Sequence, residues 1–161
     1  MLFPTPTLRG LAALLLALCT LPALAGDAIL RYTANLPADT AYQKLYQALE
    51  DQGYYVIFEP NMGRTLAGMA ERLGKDYNRN QLSTMRSLVF CNPTLTNRIA
   101  NADPGLLALC PLHVSLTHKA GVTAVYFARP SVLAAGSPGA ALVQSLESEI
   151  DQIIQGTLRV Q

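Results

Sequence analysis

Apolar and polar residues alternate from Ala28 to Ala34, with Leu30 and Tyr32 on one side and Arg31 and Thr33 on the other. That period of two predicts a half-buried strand. Pro37 and Asp39 then signal a helix start, with Asp39 or Thr40 as N-cap. Tyr42, Leu45, Ala48 and Leu49 recur at helical spacing, and Gly53 closes the helix. Tyr54 to Phe58 predicts a second strand, with Tyr54, Val56 and Phe58 on one face. Asn61 is placed to cap a second helix, whose stripe is Met62, Leu66, Met69, Ala70 and Leu73, with Gly74 as its end. Residues 76–83 are polar and predict a surface loop.

The segment from Met85 to Arg129 organises the rest. Leu82 to Cys91 is rich in apolar residues and predicts a third, central strand. Pro93 suits the first turn of a helix, capped by Asn92 or Thr94, with Leu95, Ile99 and Ala102 facing inward. Pro104-Gly105 stops it. A fourth strand over His113–Thr117, a turn at Lys119-Ala120-Gly121 and a fifth strand over Val122–Arg129 follow. A last helix spans Pro138 to Gly156, with Leu142, Leu146, Ile150 and Ile153 buried and Glu147, Glu149 and Asp151 on its wet side. The order β-α-β-α-β-α-β-β-α predicts an α/β (α+β) sandwich: a small mixed sheet of about five strands packed with four helices. The tyrosine-bearing strands and the fifth strand could leave an apolar sheet edge for a homodimer, with Tyr32, Tyr54, Tyr55 and Tyr126 as interface aromatics.

Residues 1–25 break this pattern. Arg9 precedes an apolar run, Leu11 to Leu21, too short to span a bilayer, and Ala23-Leu24-Ala25 fits a small-x-small cleavage site. The expectation is a cleaved signal peptide, a periplasmic or secreted protein starting at Gly26, and no stable membrane insertion afterwards. Leu18 before Cys19 is too bulky for lipoprotein processing. Cleavage leaves 136 residues, enough for one domain (26–161), with 11 basic against 11 acidic residues. A neutral chain argues against nucleic-acid binding, which needs cations to contact phosphates.

Phe90-Cys91-Asn92-Pro93, the short helix ending at Ala102-Asp103-Pro104, the Leu107-Ala108-Leu109-Cys110-Pro111-Leu112 strand opening and the Pro130-Ser131-Val132-Leu133-Ala134 turn occur in an order that resembles the domain of unknown function 302 (DUF302) family. Tyr42 to Phe58 is similar to that family's helix and "Gly-Tyr/Phe-x-Val" opening. The resemblance covers roughly residues 28–154. It implies a small α/β domain, often dimeric, without assigned activity, and supplies no catalytic residues. The sequence departs from the family where Cys91 replaces a usual glycine and where Cys110 interrupts the leucine run.

No Walker loop, Gly-x-Ser-x-Gly elbow, Cys-x-x-Cys pair, haem-attachment motif or His-Glu-x-x-His motif is present. Two histidines, His113 opening a strand and His118 exposed beside a turn, support little acid–base chemistry, and the chain leans away from an enzyme. Arg64, Arg72, Lys75, Arg79 and Arg86 read as a solvated face, or as flanking a shallow anion site at Asn61 and Arg64. Cys91 and Cys110 admit three readings: a structural disulfide, two buried thiols, or a redox or metal pair. Compartment and even count favour the bridge. Met62, Met85 and His113 could join the thiols around copper(I), although methionines at helical spacing usually fill cores. No particular cofactor is implied. Two functions remain: an exported non-catalytic domain binding a small ligand or partner protein, or a periplasmic redox or soft-metal handling protein using Cys91, Cys110 and His113.

Overall fold

The computed structural model describes residues 28–159; the expected signal peptide and its cleavage site lie outside them. Five strands form one sheet in the order β1-β5-β4-β3-β2. They are β1 (Ile29–Ala34), β2 (Tyr55–Phe58), β3 (Thr84–Cys91), β4 (Leu112–Lys119) and β5 (Val122–Ala128). The helices are α1 (Ala38–Asp51), α2 (Met62–Ala67), α3 (Ala70–Leu73), α4 (Pro93–Ala102), α5 (Pro130–Leu133) and α6 (Ala140–Leu158), with 3-10 turns at Gly74–Asp76 and Pro104–Leu109. The architecture is the expected α/β sandwich. Among the described residues no helix is long and apolar enough to cross a membrane.

Every strand pair is antiparallel, so the sheet is not mixed. The reason lies in the connections. α4 and the 3-10 turn after it form a short return that brings the chain back to the end of the sheet it left. β3 and β4 therefore run in opposite directions. β1 and β2 occupy opposite edges, and α1 carries the chain between them. The middle strand is β4 rather than β3, and β5 is interior, not an edge.

The core lies between one sheet face and helices α1, α4 and α6. Leu88, Phe90, Val114, Leu116, Val125 and Phe127 meet Tyr42, Leu45, Leu49, Val143, Ile150 and Ile154. Tyr54 is fully buried and meets Phe90 edge-on, with centroids 5.9 Å apart and planes at 88°. Several local signals act as expected. Gly53 has φ 75°, while Tyr54 N donates to Leu49 O and Gly53 N to Glu50 O, a Schellman closure of α1. Asn61 caps α2, its side chain accepting from Arg64 N at 2.9 Å, and Asn92 caps α4, accepting from Leu95 N at 3.0 Å.

Other details differ. α1 begins after Pro37, and neither Asp39 nor Thr40 caps it. The second helix breaks at Gly68-Met69, giving α2 and α3 with no buried residue in either. A bulge in β2 shifts register between Val56, opposite Phe90, and Phe58, opposite Val89. One extra residue sends the following side chain to the other face. Phe58 therefore leaves the Tyr54–Val56 side and is 64% exposed.

The buried stripe of α6 is Val143, Leu146, Glu147, Ile150, Ile154 and Leu158. Leu142 and Ile153 sit only at its margin, and Glu147 is inside. Arg129 Nε donates to Glu147 Oε1 at 2.8 Å, and the Ser131 amide donates to Oε2 at 2.9 Å. The other two acids of this helix also take contacts. Tyr54 Oη donates to Glu149 at 2.7 Å and Tyr32 Oη to Asp151 at 2.5 Å.

Candidate functional site

Two places combine exposure with usable chemistry. The first is a groove of about 680 Å³ where β2 passes into α2. The bulge turns Phe58 outward, and Met62 and Leu66, one turn apart on α2, continue the apolar wall. Pro60 ties this corner to the sheet, its carbonyl accepting from Ser87 N at 3.0 Å. α2 lies close to β3: a Cβ added at Gly63 would sit 3.4 Å from Met85 N. Glu59, Asn61, Arg64 and Thr65 supply the polar rim. Arg64 is exposed and forms no ion pair among the described residues.

Behind the rim, Arg64 also borders a second cleft of about 360 Å³ together with Asp39, Met85 and Arg86. Arg86 lies over the Tyr42 ring at 3.5 Å, and its Nη1 is 3.4 Å from Asp39 Oδ1. Its Nε is buried and has no hydrogen-bond partner among the described residues. Tyr42 Oη donates to Glu59 Oε2 at 2.6 Å. Burial and then that bond to Glu59 push the Tyr42 phenol up to about 12, even though the Arg86 charge opposes them. Tyr42 therefore stays neutral, and donates, at any ordinary pH.

The expected anion site at Asn61 and Arg64 lies at the start of α2, which Asn61 caps. α2 has only six residues. The Arg64 amide already donates to the Asn61 side chain and the Thr65 amide to the Asn61 carbonyl. What Arg64 offers instead is its guanidinium at the groove rim. Of the other cations, Arg79 makes a wide, exposed 3.9 Å contact with Asp76, and Arg86, which shares the second cleft with Arg64, is engaged with Tyr42. The sequence offered Asn61, Met62 and Arg64 but not Phe58, because the bulge was invisible in the alternation.

The second place holds the thiols. Phe90 pairs with Leu112, so Cys91 and Cys110 share one end of the sheet. Both are free and half-buried. Thr96, in the second turn of α4, stands between them, its Oγ1 3.2 Å from Cys91 Sγ and 3.8 Å from Cys110 Sγ. Burial, against the pull of the Thr96 hydroxyl, pushes the Cys110 thiol up.

The soft-metal ligand set is not gathered. His113 is exposed on β4 opposite Val89. Met85 lies at the far end of β3 from Cys91, about 20 Å along the strand. Met62 belongs to the groove. Among the described residues no three His, Cys, Asp or Glu side chains converge as a metal site. His118 is half-buried rather than exposed. Its Nδ1 is 2.8 Å from Thr123 Oγ1, whose hydroxyl donates to Leu36 O at 2.6 Å, so the ring nitrogen is the donor.

The fold has a known counterpart. The crystal structure of an uncharacterized conserved DUF302 protein from Bacillus stearothermophilus superposes with a TM-score of 0.71 at 15% identity, covering 83% of this chain and 99% of that one. At that identity the likeness establishes the fold alone. No protein of curated function matches the chain. The family model "Domain of unknown function DUF302" matches residues 30–157, nearly all of the described fold, and the chain therefore belongs to the DUF302 family.

Proposed function

We propose that this protein is an exported, non-catalytic binding domain whose ligand lies in the groove between β2 and α2. The observation that carries this reading is the groove's make-up: an apolar wall of Phe58, Met62 and Leu66 beside the exposed Arg64, which has no ion pair among the described residues. Such a surface suits a small amphipathic molecule, with its apolar body on the wall and an anionic head at Arg64. No nucleophile, base and orienting group come together there, which favours binding over turnover. Titration with anilinonaphthalene sulfonate, which has this chemistry, tests it. Saturable fluorescence enhancement is expected. It should be lost in Phe58→Ser/Met62→Ser and weakened about three- to tenfold in Arg64→Gln, the scale of one exposed charge contact. Binding that survives the double substitution unchanged contradicts the reading.

Export rests on Arg9, the Leu11–Leu21 run and Ala23-Leu24-Ala25. We place a homodimer contact on the neighbouring edge strand, where Tyr55 and Ile57 are 53% and 59% exposed. Strand-to-strand addition is hindered at that edge, because the Val56 amide already donates to Glu50 Oε1 at 2.7 Å. The contact is therefore made by side chains. Intact and native mass measurement on natively purified protein reads both points: a chain beginning at Gly26 and a dimer. Full-length chain in the membrane fraction contradicts export, and a monomer mass at high concentration contradicts the dimer.

The second reading, redox or soft-metal handling, keeps only its thiol half. Cys91 and Cys110 meet through Thr96, whereas His113, Met62 and Met85 do not join them.

A further inference from the structure

The end of β3 holds two half-buried thiols on either side of one hydroxyl, and nothing in the groove depends on them. Thr96 Oγ1 has one proton and can donate to only one sulfur at a time. The other sulfur is then left without that donor. Two thiols that both reach one hydroxyl, at 3.2 and 3.8 Å, are neighbours placed for sulfur–sulfur chemistry.

We propose that Cys91 and Cys110 form a reversible dithiol–disulfide pair that exchanges with external disulfides. The Cys91 thiolate attacks one sulfur of a small disulfide such as oxidised glutathione. The external S–S bond breaks, a protein–glutathione bond forms, and one glutathione thiolate leaves to take up a proton. The Cys110 thiolate then attacks the Cys91 sulfur, and the second glutathione leaves. The pair loses two electrons and two protons, and the external disulfide becomes two thiols. Burial holds back the Cys110 thiolate, which suits Cys110 to the second step, where its target sits across the shared Thr96 hydroxyl and the attack is intramolecular. In the reverse direction one external thiolate attacks the Cys91 sulfur and frees Cys110, and a second attacks the resulting mixed disulfide, freeing Cys91 and leaving as the external disulfide. The closed loop contains α4 and the Pro104–Leu109 turn.

This inference does not rest on the groove, and its test is separate. The full chain carrying Cys19→Ser, which removes the third cysteine, is reduced, equilibrated with excess oxidised glutathione, quenched with iodoacetamide and weighed. The expected product has lost two hydrogens, carries no alkyl group and yields a Cys91–Cys110 cross-linked peptide. Excess reduced glutathione should return both thiols. Cys110→Ser should accumulate one glutathione on Cys91, and Cys91→Ser should react more slowly at the half-buried Cys110. Two alkylated cysteines after equilibration, or one glutathione on each, would overturn the pair. These wild-type outcomes are read without relying on either variant. Faster reaction at Cys110 than at Cys91 would overturn the assigned order of attack.

Discussion

Glu147 shows how far one residue can depart from its usual place. It sits on α6 among Val143, Leu146 and Ile150 at 6% exposure, yet it is held as a carboxylate. Burial works to raise its pKa. Hydrogen bonds from Ser131 and Arg129, with the Arg129 charge, outweigh that and leave it below the usual carboxylate value. Glu147→Gln should keep the shape and lose the charge-assisted bonds, lowering stability by about 2 kcal/mol in thermal or urea unfolding near neutral pH. The sign with pH follows from the depressed folded value. The stabilisation is present above the unfolded carboxylate pKa and fades as pH falls through the folded one. Wild type and Glu147→Gln should therefore converge in acid. A gap that stays constant down to strongly acidic pH would assign the effect to packing alone. The spacing of Leu142, Leu146, Ile150 and Ile153 puts Glu147 on the wet side of the helix. Val143, Ile154 and Leu158 mark the true stripe, and Glu147 lies on it.

Among the elements, those with strong punctuation were legible and those set by register were not. Gly53, Asn61 and Asn92-Pro93 ended or began helices where the chain predicts, because each acts through its own backbone. The β2 bulge depends on pairing with β3, which no local pattern encodes, and it moved Phe58 into the groove. The β4–β5 hairpin is local again. Lys119 pairs with Val122, and the two residues between them both have positive φ, 49° at Ala120 and 82° at Gly121. That combination marks a type I′ turn, which favours Asn-Gly over Ala-Gly because an alanine Cβ is crowded at positive φ. Ala120→Asn should raise stability by about 0.5 kcal/mol. An unchanged or lower melting temperature would contradict this assignment of the turn.

For the molecule as a whole, the number and order of the main elements could be read from the chain, but strand directions and neighbours could not. They follow from how α1 crosses between the edges and how α4 returns, and these are tertiary facts. The same return brought Cys91 and Cys110 to one end of the sheet, where a parallel unit would have separated them. The groove arises at this scale too, from β2, the Pro60 corner and the close approach of α2 to Met85. Backbone-amide NMR of the full chain, titrated with anilinonaphthalene sulfonate, locates the ligand directly. Saturable shifts are expected over Phe58–Leu66, with Met85 and Arg86 affected next. Shifts centred instead on the polar cleft between α1 and α6, around Ala48 and Gln152, or no saturable shifts at all, would contradict a ligand in the groove.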